Sequence, residues 1–233
     1  MARSNFIQRI KSWIFPTPGP QQIAKQLRHP QGKLGEVVGR KMNESNESLY
    51  DLTIDCMALK DHDSLIELGY GNGRFFEKIF SKAKNLRVVG IDFSEVMVRT
   101  ARETNETRID NGELRLLYGN CTALPFDSNQ FDKVFCINVI YFWENPVEYL
   151  HEIYRVLKPG GRFYSTIRLR DSMKNLPFTQ FGFTLYDEAD WKSILNNNKF
   201  NYISGKLLHE PGTDVMGNKM ELESICMMAE KPL

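Results

Sequence analysis

The sequence predicts an α/β fold with a seven-stranded, mostly parallel sheet, helices on both faces, a C-terminal antiparallel β-hairpin and an N-terminal helical cap. Two observations support this fold class. From Ser64 onward, short β-type runs alternate with helical patterns, which is typical of a doubly wound parallel sheet. The last two β-type runs follow each other without a helix between them, and two strands joined by a loop are most simply antiparallel.

Seven short segments carry the β pattern of apolar, β-branched and aromatic residues. They are SLIELG, LRVVGID, ELRLLYG, FDKVFCIN, GGRFYSTIRL, KFNYISGKLL and MELESICMMA. The segment HEPGTDVMGNK joins the last two and is predicted to be a loop. With 233 residues, of which 42% are hydrophobic, the chain can bury one substantial core. We therefore expect an arm and cap segment over residues 1–45 and a single domain over residues 46–233.

Apolar residues at helical spacing predict the helices that connect these strands. The helix after the first strand carries Phe75, Phe76, Ile79, Phe80 and Ala83. The helix before the fifth strand carries Leu150, Ile153, Tyr154 and Leu157. Asn145 as N-cap and Pro146 as first helical residue mark the start of this second helix. DEADWKSILNN predicts a last helix, and a helical pattern that follows the polar stretch GRKMNESNESLY precedes the first strand.

The N-terminal segment FIQRIKSWIF, residues 6–15, places apolar residues on one helical face. We predict an arm that packs on its own domain or on a partner subunit, with a membrane-surface helix as the alternative. Prolines in PTPGPQ separate this arm from the rest of the chain. No apolar run is long enough to span a bilayer, so we expect no stable membrane insertion.

The charge and the cysteine and histidine content of the chain indicate which partners, metals and cellular compartment to expect. The formal net charge of +1 provides no global field that would attract nucleic acid or an acidic membrane. The four cysteines are scattered without a C-x-x-C pair, which favours free thiols in a reducing compartment and a cytoplasmic location. The four histidines form no pair at helical metal-ligand spacing, so we expect no metal site.

A glycine-rich loop, Gly69 to Gly73, directly follows the first predicted strand. Glycine permits positive φ and close approach of the backbone to a ligand. A phosphate loop of nucleoside triphosphatases would need a Lys-Ser or Lys-Thr pair that is missing here. The dinucleotide fingerprint would need a small residue where Arg74 stands. The loop alone therefore indicates a ligand site at the carboxyl ends of the strands, without identifying the ligand.

Three further segments accompany the pattern E-x-G-x-G-x-G that begins at Glu67. They are VVGIDFSEVMVRTAR, GNCTALPFDSNQFDKVFCINVI and YLHEIYRVLKPGGRFY. In this order and spacing, over roughly Asp63 to Ile167, the chain resembles the class I S-adenosylmethionine (SAM) dependent methyltransferases. The closest resemblance is to the small-molecule branch that includes the ubiquinone and menaquinone biosynthesis C-methyltransferases. It implies a Rossmann-like fold, SAM as cofactor and S-adenosylhomocysteine as product.

The resemblance also implies a set of cofactor-binding residues after the first four strands. They are Glu67, Gly69, Tyr70, Gly71, Asn72, Gly73, Asp92, Phe93, Met97, Asn120, Cys121, Thr122, Asn138 and Val139. Asp92 would accept hydrogen bonds from the ribose hydroxyls, the alternative being a helix-initiating acid. Glu67 would shape the loop or bond the ligand's ammonium group, the alternative being a structural salt bridge. Asn120 stands where many members carry aspartate, and its carbonyl oxygen would accept from the adenine amino group.

The acceptor site is predicted from aromatic residues. Tyr141, Phe142 and Trp143 follow the fourth strand at the mouth of the expected cleft, where they would either stack an acceptor or pack under the cap. Tyr50 is added because it lies in the segment expected to close over SAM. No residue falls in a motif for a general base, so none is assigned as catalytic. His209 and Glu210, in the predicted loop, are interpreted as surface residues.

The predicted function is methyl transfer from SAM to a small-molecule acceptor by in-line displacement. Orientation and exclusion of water supply much of the acceleration in such a reaction. Two alternatives stay open: a catalytically silent SAM-binding partner subunit and, with less support, a protein methyltransferase. A nucleic-acid acceptor is disfavoured by the neutral charge, and homodimerisation is left open.

Overall fold

The sheet in the computed structural model confirms the predicted fold class. The structure describes residues 18–215 and 218–233, so the arm predicted at residues 6–15 lies outside the described residues. The strands of the described part are β1 (Ser64–Leu68), β2 (Arg87–Asp92), β3 (Leu114–Tyr118), β4 (Phe131–Ile137), β5 (Leu157–Arg168), β6 (Asn201–Val215) and β7 (Asn218–Glu230). Their order across the sheet is β3-β2-β1-β4-β5-β7-β6. The first five strands run parallel, and β7 runs antiparallel to β5 and β6.

The strand order reverses between β1 and β4. From β1 the chain moves outward to β3 and then returns to place β4 on the other side of β1. Glu67 of β1 consequently lies in register with Gly90 of β2 and Phe135 of β4. In open parallel sheets, such a reversal leaves a crevice beyond the carboxyl ends of the strands. The glycine loop begins at this crevice.

Helices cover both faces of the sheet. They are α1 (Pro20–Arg28), α2 (Gly32–Met57), α3 (Phe76–Phe80), α4 (Glu95–Thr104), α5 (Glu106–Asp110), α6 (Pro146–Val156), α7 (Arg170–Met173) and α8 (Glu188–Asn197). Ser94 caps α4 by accepting the Met97 N–H at 3.3 Å. Asp187 and Asp190 form a reciprocal capping box at the start of α8. Two short 3-10 helices, Ile140–Phe142 and Pro177–Gln180, complete the described helical elements.

Helix α2 is longer than the sequence pattern predicted. It contains 26 residues and includes the polar stretch that was expected to precede the helix. On its outer side, Glu47 and Asp51 pair with Lys78 at 3.0 and 2.7 Å, so charged residues are accommodated by solvent and ion pairs. The domain boundary predicted between residues 45 and 46 therefore falls inside one continuous helix.

Helix α3 is shorter than its apolar stripe suggested. The stripe extends to Ala83, but the helix ends at Phe80. At this end the Ser81 hydroxyl donates to the Lys78 carbonyl at 2.7 Å. Such a side-chain bond gives the backbone carbonyl an alternative to a helical partner, which favours termination.

The C-terminal hairpin contains less loop than predicted. Residues 209–219 were expected to be a loop, whereas β6 continues to Val215 and β7 begins at Asn218. Pro211 and Gly212 fall in a register shift between β6 and β7, and this bulge absorbs the two loop-forming residues without ending the strand. Glu210 is therefore paired within the sheet and is only 6% exposed. Its interpretation as a surface residue was wrong.

The sheet separates the two larger apolar clusters of the described core, and a third, smaller cluster joins Ala24 of α1 to Phe178. One cluster surrounds Trp191 of α8, whose ring is fully buried and whose Nε1 donates to the Ser165 hydroxyl at 2.8 Å. The other lies under α2 and contains Leu49 and Tyr50 together with Phe76 of α3. Burial on both faces explains why the parallel strands are nearly continuous apolar runs. Within residues 18–215 and 218–233, no helix combines the length and apolar composition that crossing a membrane requires.

Trp191 provides a test of the core. We expect Trp191→Ala to lower the free energy of unfolding by about 3–5 kcal/mol, because it leaves a cavity and removes the partner of Ser165. Urea unfolding followed by circular dichroism measures this loss. The exposed Tyr118, on β3, supplies the control, and Tyr118→Ala should change stability by about 0.5 kcal/mol or less. Equal losses for the two variants would contradict the core assignment.

Candidate functional site

A cavity of about 210 Å³ opens at the carboxyl ends of β1, β2 and β4. It lies at the reversal of strand order, where ligand sites of open α/β sheets form. Most of the residues predicted from the sequence line it: Tyr50, Gly69, Tyr70, Gly71, Asn72, Asp92, Phe93, Met97, Asn120, Cys121, Asn138, Val139, Phe142 and Trp143. Glu67, Gly73, Thr122 and Tyr141 are absent from its walls.

The three glycines of the loop have different surroundings although all have positive φ. A Cβ on Gly69 would lie 2.6 Å from Val139 Cγ2, and a Cβ on Gly73 would lie 2.8 Å from Ala101 Cβ. These two glycines are required by packing within the protein. At Gly71 (φ 60°) a Cβ would meet no atom within 4 Å. The middle glycine therefore leaves space that belongs to the cavity.

Asp92 joins the glycine loop to the end of β2. Its Oδ2 accepts the Gly71 N–H at 2.9 Å, and its Oδ1 accepts the Ser94 N–H at 2.8 Å. Burial raises the pKa of Asp92 to about 6, and these backbone hydrogen bonds oppose the rise. The carboxyl group shapes the loop, supports the start of α4 and lines the cavity.

Glu67 lies beneath the loop and outside the cavity walls. Its Oε1 accepts a hydrogen bond from the Tyr50 hydroxyl at 2.5 Å, and the Tyr50 ring stacks on Phe75 at 4.0 Å. Burial raises the pKa of Glu67 to about 8, the Tyr50 bond opposes this, and Asp92 adds to it. Burial also raises the pKa of Tyr50 well above its ordinary value. A buried carboxyl group beneath the loop, outside the cavity walls, thus keeps its proton near neutral pH.

The wall formed by Phe93, Met97 and Asn120 is the predicted adenine side. Phe93 is 41% exposed and stacks on His29 at 4.6 Å, whereas Met97 is buried. Asn120 Oδ1 already accepts the Thr122 N–H at 3.1 Å, which turns the chain and keeps Thr122 off the cavity. The carbonyl oxygen expected to meet adenine therefore has one of its two lone pairs in use.

The aromatic residues after β4 divide into two kinds. Phe142 and Trp143 line the cavity, and Trp143 stacks on Tyr149 at 4.5 Å with nearly parallel rings. Tyr141 is 2% exposed, and its hydroxyl accepts the Arg168 N–H at 2.6 Å. The acceptor contact predicted for Tyr141 is therefore wrong, because the backbone of β5 holds this ring in the core.

Sequence reasoning placed Tyr50 in the segment that closes over the site but did not show how much of the wall α2 forms. Gly39, Met42, Asn43 and Asn46 line the cavity with Tyr50. Positions 39, 43, 46 and 50 recur at helical spacing, so they share one face of a helix. That spacing was the available signal, but it becomes visible only when the polar stretch is recognised as helical.

The connection between α1 and α2 covers the cavity. The Pro30 carbonyl accepts the Ser94 hydroxyl at 2.6 Å, and Arg28 pairs with Glu144 at 2.6 Å. Arg28 and Pro30 also line the cavity. This connection contacts the segment from Asp92 to Ser94, so it forms one wall of a cavity that stays partly open to solvent.

Comparison with known proteins relates the chain to methyltransferases. A family model described as a methyltransferase domain matches residues 66–165. The putative methyltransferase YrhH of Bacillus subtilis (strain 168) is 32% identical over 134 residues, which cover 58% of this chain and 73% of that protein. The demethylmenaquinone methyltransferase of Lactococcus lactis subsp. lactis (strain IL1403) is 30% identical over 174 residues, 66% of each chain.

A solved structure extends the similarity to nearly the whole fold. It contains the Haloferax volcanii Trm112 methyltransferase activator in complex with a putative methyltransferase. The match has a TM-score of 0.74 and 19% identity, and it covers 91% of this chain and 99% of the other. At this identity the similarity supports the fold alone.

Glu67 predicts a pH dependence of stability without added ligand. Its folded pKa lies above its ordinary value of 4.5, so the stability it contributes is present below pH 4.5 and is lost as pH rises to about 8. Between pH 6 and 8, wild-type protein should lose up to about 1.4 kcal/mol per pH unit from this group. Urea unfolding of Glu67→Gln over this range should give a weaker dependence. The exposed Glu103 supplies the control, Glu103→Gln, and identical slopes for all three proteins would contradict the assignment.

Proposed function

Because the chain belongs to the family of SAM-dependent methyltransferases, we propose that it transfers the methyl group of SAM to a small-molecule acceptor. The observation that carries this proposal is the cavity itself. Open space at Gly71 and the Asp92 carboxyl group adjoin an aromatic wall in one site. The residues fit SAM, since the loop offers room for backbone approach and the carboxyl group offers acceptors for a ribose diol.

The cofactor half of the cavity would be formed by the first two strands and α2. Asp92 accepts backbone N–H groups on both oxygens, and a carboxylate has about four lone-pair sites, so acceptor capacity would remain for the ribose hydroxyls. Phe93 and Met97 supply apolar surface for adenine. Asn138 and Val139, after β4, would meet the methionine portion. When bound, SAM supplies an activated methyl group whose departure leaves a neutral thioether.

The remaining task of the protein is to orient the acceptor and to exclude water. The covering connection at Arg28 to Pro30 shields part of the cavity from solvent, and Phe142 and Trp143 form a wall suited to a planar or apolar molecule. Fixing two reactants in an enclosed site can remove roughly 7–11 kcal/mol of barrier in favourable cases. The name of the Lactococcus relative, a demethylmenaquinone methyltransferase, supports a small-molecule acceptor.

A second candidate is a catalytically silent SAM-binding partner subunit. Asn120 in place of the more usual aspartate supports it, as does the lack of a residue in a motif for a general base. A protein acceptor is a weaker alternative. We also propose a cytoplasmic location, which the free thiols of all four cysteines support.

The proposed reaction is tested with methyl-labelled SAM and a metabolite extract. We expect purified protein to bind SAM in isothermal titration and to move label into small molecules. Label in protein would indicate a protein acceptor, and binding without transfer would favour the catalytically silent SAM-binding partner subunit. Tight binding of NADH with none of SAM would overturn the proposal.

Gly71 predicts a selective loss of cofactor affinity. Gly71→Ala should weaken SAM binding at least tenfold in isothermal titration, because the new methyl group occupies the open space of the cavity. It should also cost about 1 kcal/mol of stability from the positive φ. Gly112→Ala is the matched control, since Gly112 has φ 72° and open space but lies before β3, away from the cavity. The control should lose similar stability and keep SAM affinity; equal affinities in both variants would exclude the predicted role of Gly71.

A further inference from the structure

A buried ion pair lies behind the cavity, between the end of β5 and the hairpin. Arg168 Nη2 and Glu210 Oε1 are 3.1 Å apart, and their side chains are 9% and 4% exposed. Neither residue lines the cavity. Removing two charges from water is costly, and apolar replacements of such pairs are often neutral or stabilising. Stability alone is therefore a weak reason for this pair.

The pair holds a short segment of α2. Arg168 Nη2 donates to the Ser45 carbonyl, and Nη1 lies 3.5 Å from Asn46 Oδ1. Glu210 Oε1 accepts the Ser48 hydroxyl at 2.8 Å. Residues 45, 46 and 48 are thus bound from the sheet within one turn of the helix. Asn46 of this turn also lines the cavity.

The pair also connects to the end of β4. Asn46 Oδ1 accepts from Asn138 Nδ2 at 3.0 Å, so one oxygen receives both Arg168 and Asn138. The Tyr141 hydroxyl accepts the Arg168 N–H at 2.6 Å, donates to the Arg168 carbonyl at 2.8 Å and lies 3.2 Å from Asn138 Oδ1. The Nδ2 end of the Asn138 amide is therefore oriented through Asn46, and its Oδ1 end packs beside a hydroxyl that the Arg168 backbone holds. Asn46 and Asn138 line the cavity on opposite sides of this contact.

This arrangement leaves one polar atom of the Arg168 guanidinium group without a hydrogen bond. Its Nε is buried and has no hydrogen-bond partner among the described residues. An unmade hydrogen bond in the interior is unfavourable. The planar fork of arginine reaches the Ser45 carbonyl, Asn46 and Glu210 at once, which a lysine ammonium on its flexible stem would not reproduce.

We propose that Arg168 is a positioning residue for the cofactor: paired with Glu210, it sets Asn46 and Asn138 in the orientation that SAM requires. This inference rests on the proposed SAM binding. The inference gives the C-terminal hairpin a role in the site, because Glu210 of β6 binds the Ser48 hydroxyl of α2. The Ser224 hydroxyl of β7 donates to the second oxygen of Glu210 and completes the connection.

The test removes both charges together in the full-length protein, so that no unpaired charge is buried. We expect Arg168→Met with Glu210→Leu to keep a melting temperature within a few degrees of wild type and to raise the Kd for SAM at least tenfold in isothermal titration. Arg162→Met with Glu230→Leu is the matched control. That pair joins β5 to β7 at 3.1 Å but is exposed, so its loss should leave the Kd unchanged. A folded Arg168/Glu210 double variant with wild-type Kd would overturn the inference.

A double-mutant cycle separates positioning from general structure. If Arg168 acts through Asn46, then in an Asn46→Ala background the double substitution should weaken SAM binding by less than twofold. A further tenfold loss of SAM affinity in this background would contradict the proposal that Arg168 acts through Asn46. If the double variant fails to fold, Ser48→Ala provides the test, because it removes the hydroxyl that binds Glu210. A Kd for SAM raised severalfold supports the inference, and an unchanged Kd refutes it. Wild-type protein that binds no SAM would instead refute the proposed function, and the inference with it.

Discussion

The carboxyl group of Asp92 is the contact on which the site depends. It joins the loop after β1 to the start of α4 through two backbone N–H groups, and it does so at the point where the strand order reverses. Without this link, the loop and the helix would be separate elements on neighbouring strands. With it, the open space at Gly71 lies beside an oriented carboxyl group. Burial of that group is energetically unfavourable, as its raised pKa indicates. Groups with such shifted pKa values cluster at functional sites.

Much of the fold followed from the sequence because alternating β and helical patterns are local signals. The strands of the parallel part were found because they are buried on both faces and therefore apolar throughout. The hairpin was predicted with too long a loop, since Pro211 and Gly212 are typical of turns yet lie here in a bulge. Helix α2 was predicted too short because its polar residues resemble a linker. Whether Asn46 is solvated or buried depends on Arg168 and Glu210, more than a hundred residues away in the sequence.

The residues of the site also fall into two groups, those that the sequence identified and those that it did not. Motif residues such as Gly71, Asp92 and Asn138 were identifiable because parallel strands bring their carboxyl ends to one edge. Apart from Tyr50, the residues of α2 and of the covering connection were not assigned, since only tertiary packing places them over the cavity. Tyr141 was assigned to the acceptor from its position after β4. Its hydroxyl is instead bound by the β5 backbone, a contact between distant segments that no local pattern reports.

The protonated carboxyl beneath the glycine loop has a consequence for selectivity between ligands of different charge. A buried carboxyl group that keeps its proton near neutral pH presents little negative charge to the neighbouring cavity when no cation is present. An entering cation favours the ionised form of Glu67, and a neutral occupant does not. Under the proposed methyl transfer a sulfonium becomes an uncharged thioether, so this carboxyl group would favour the fresh cofactor over the spent one.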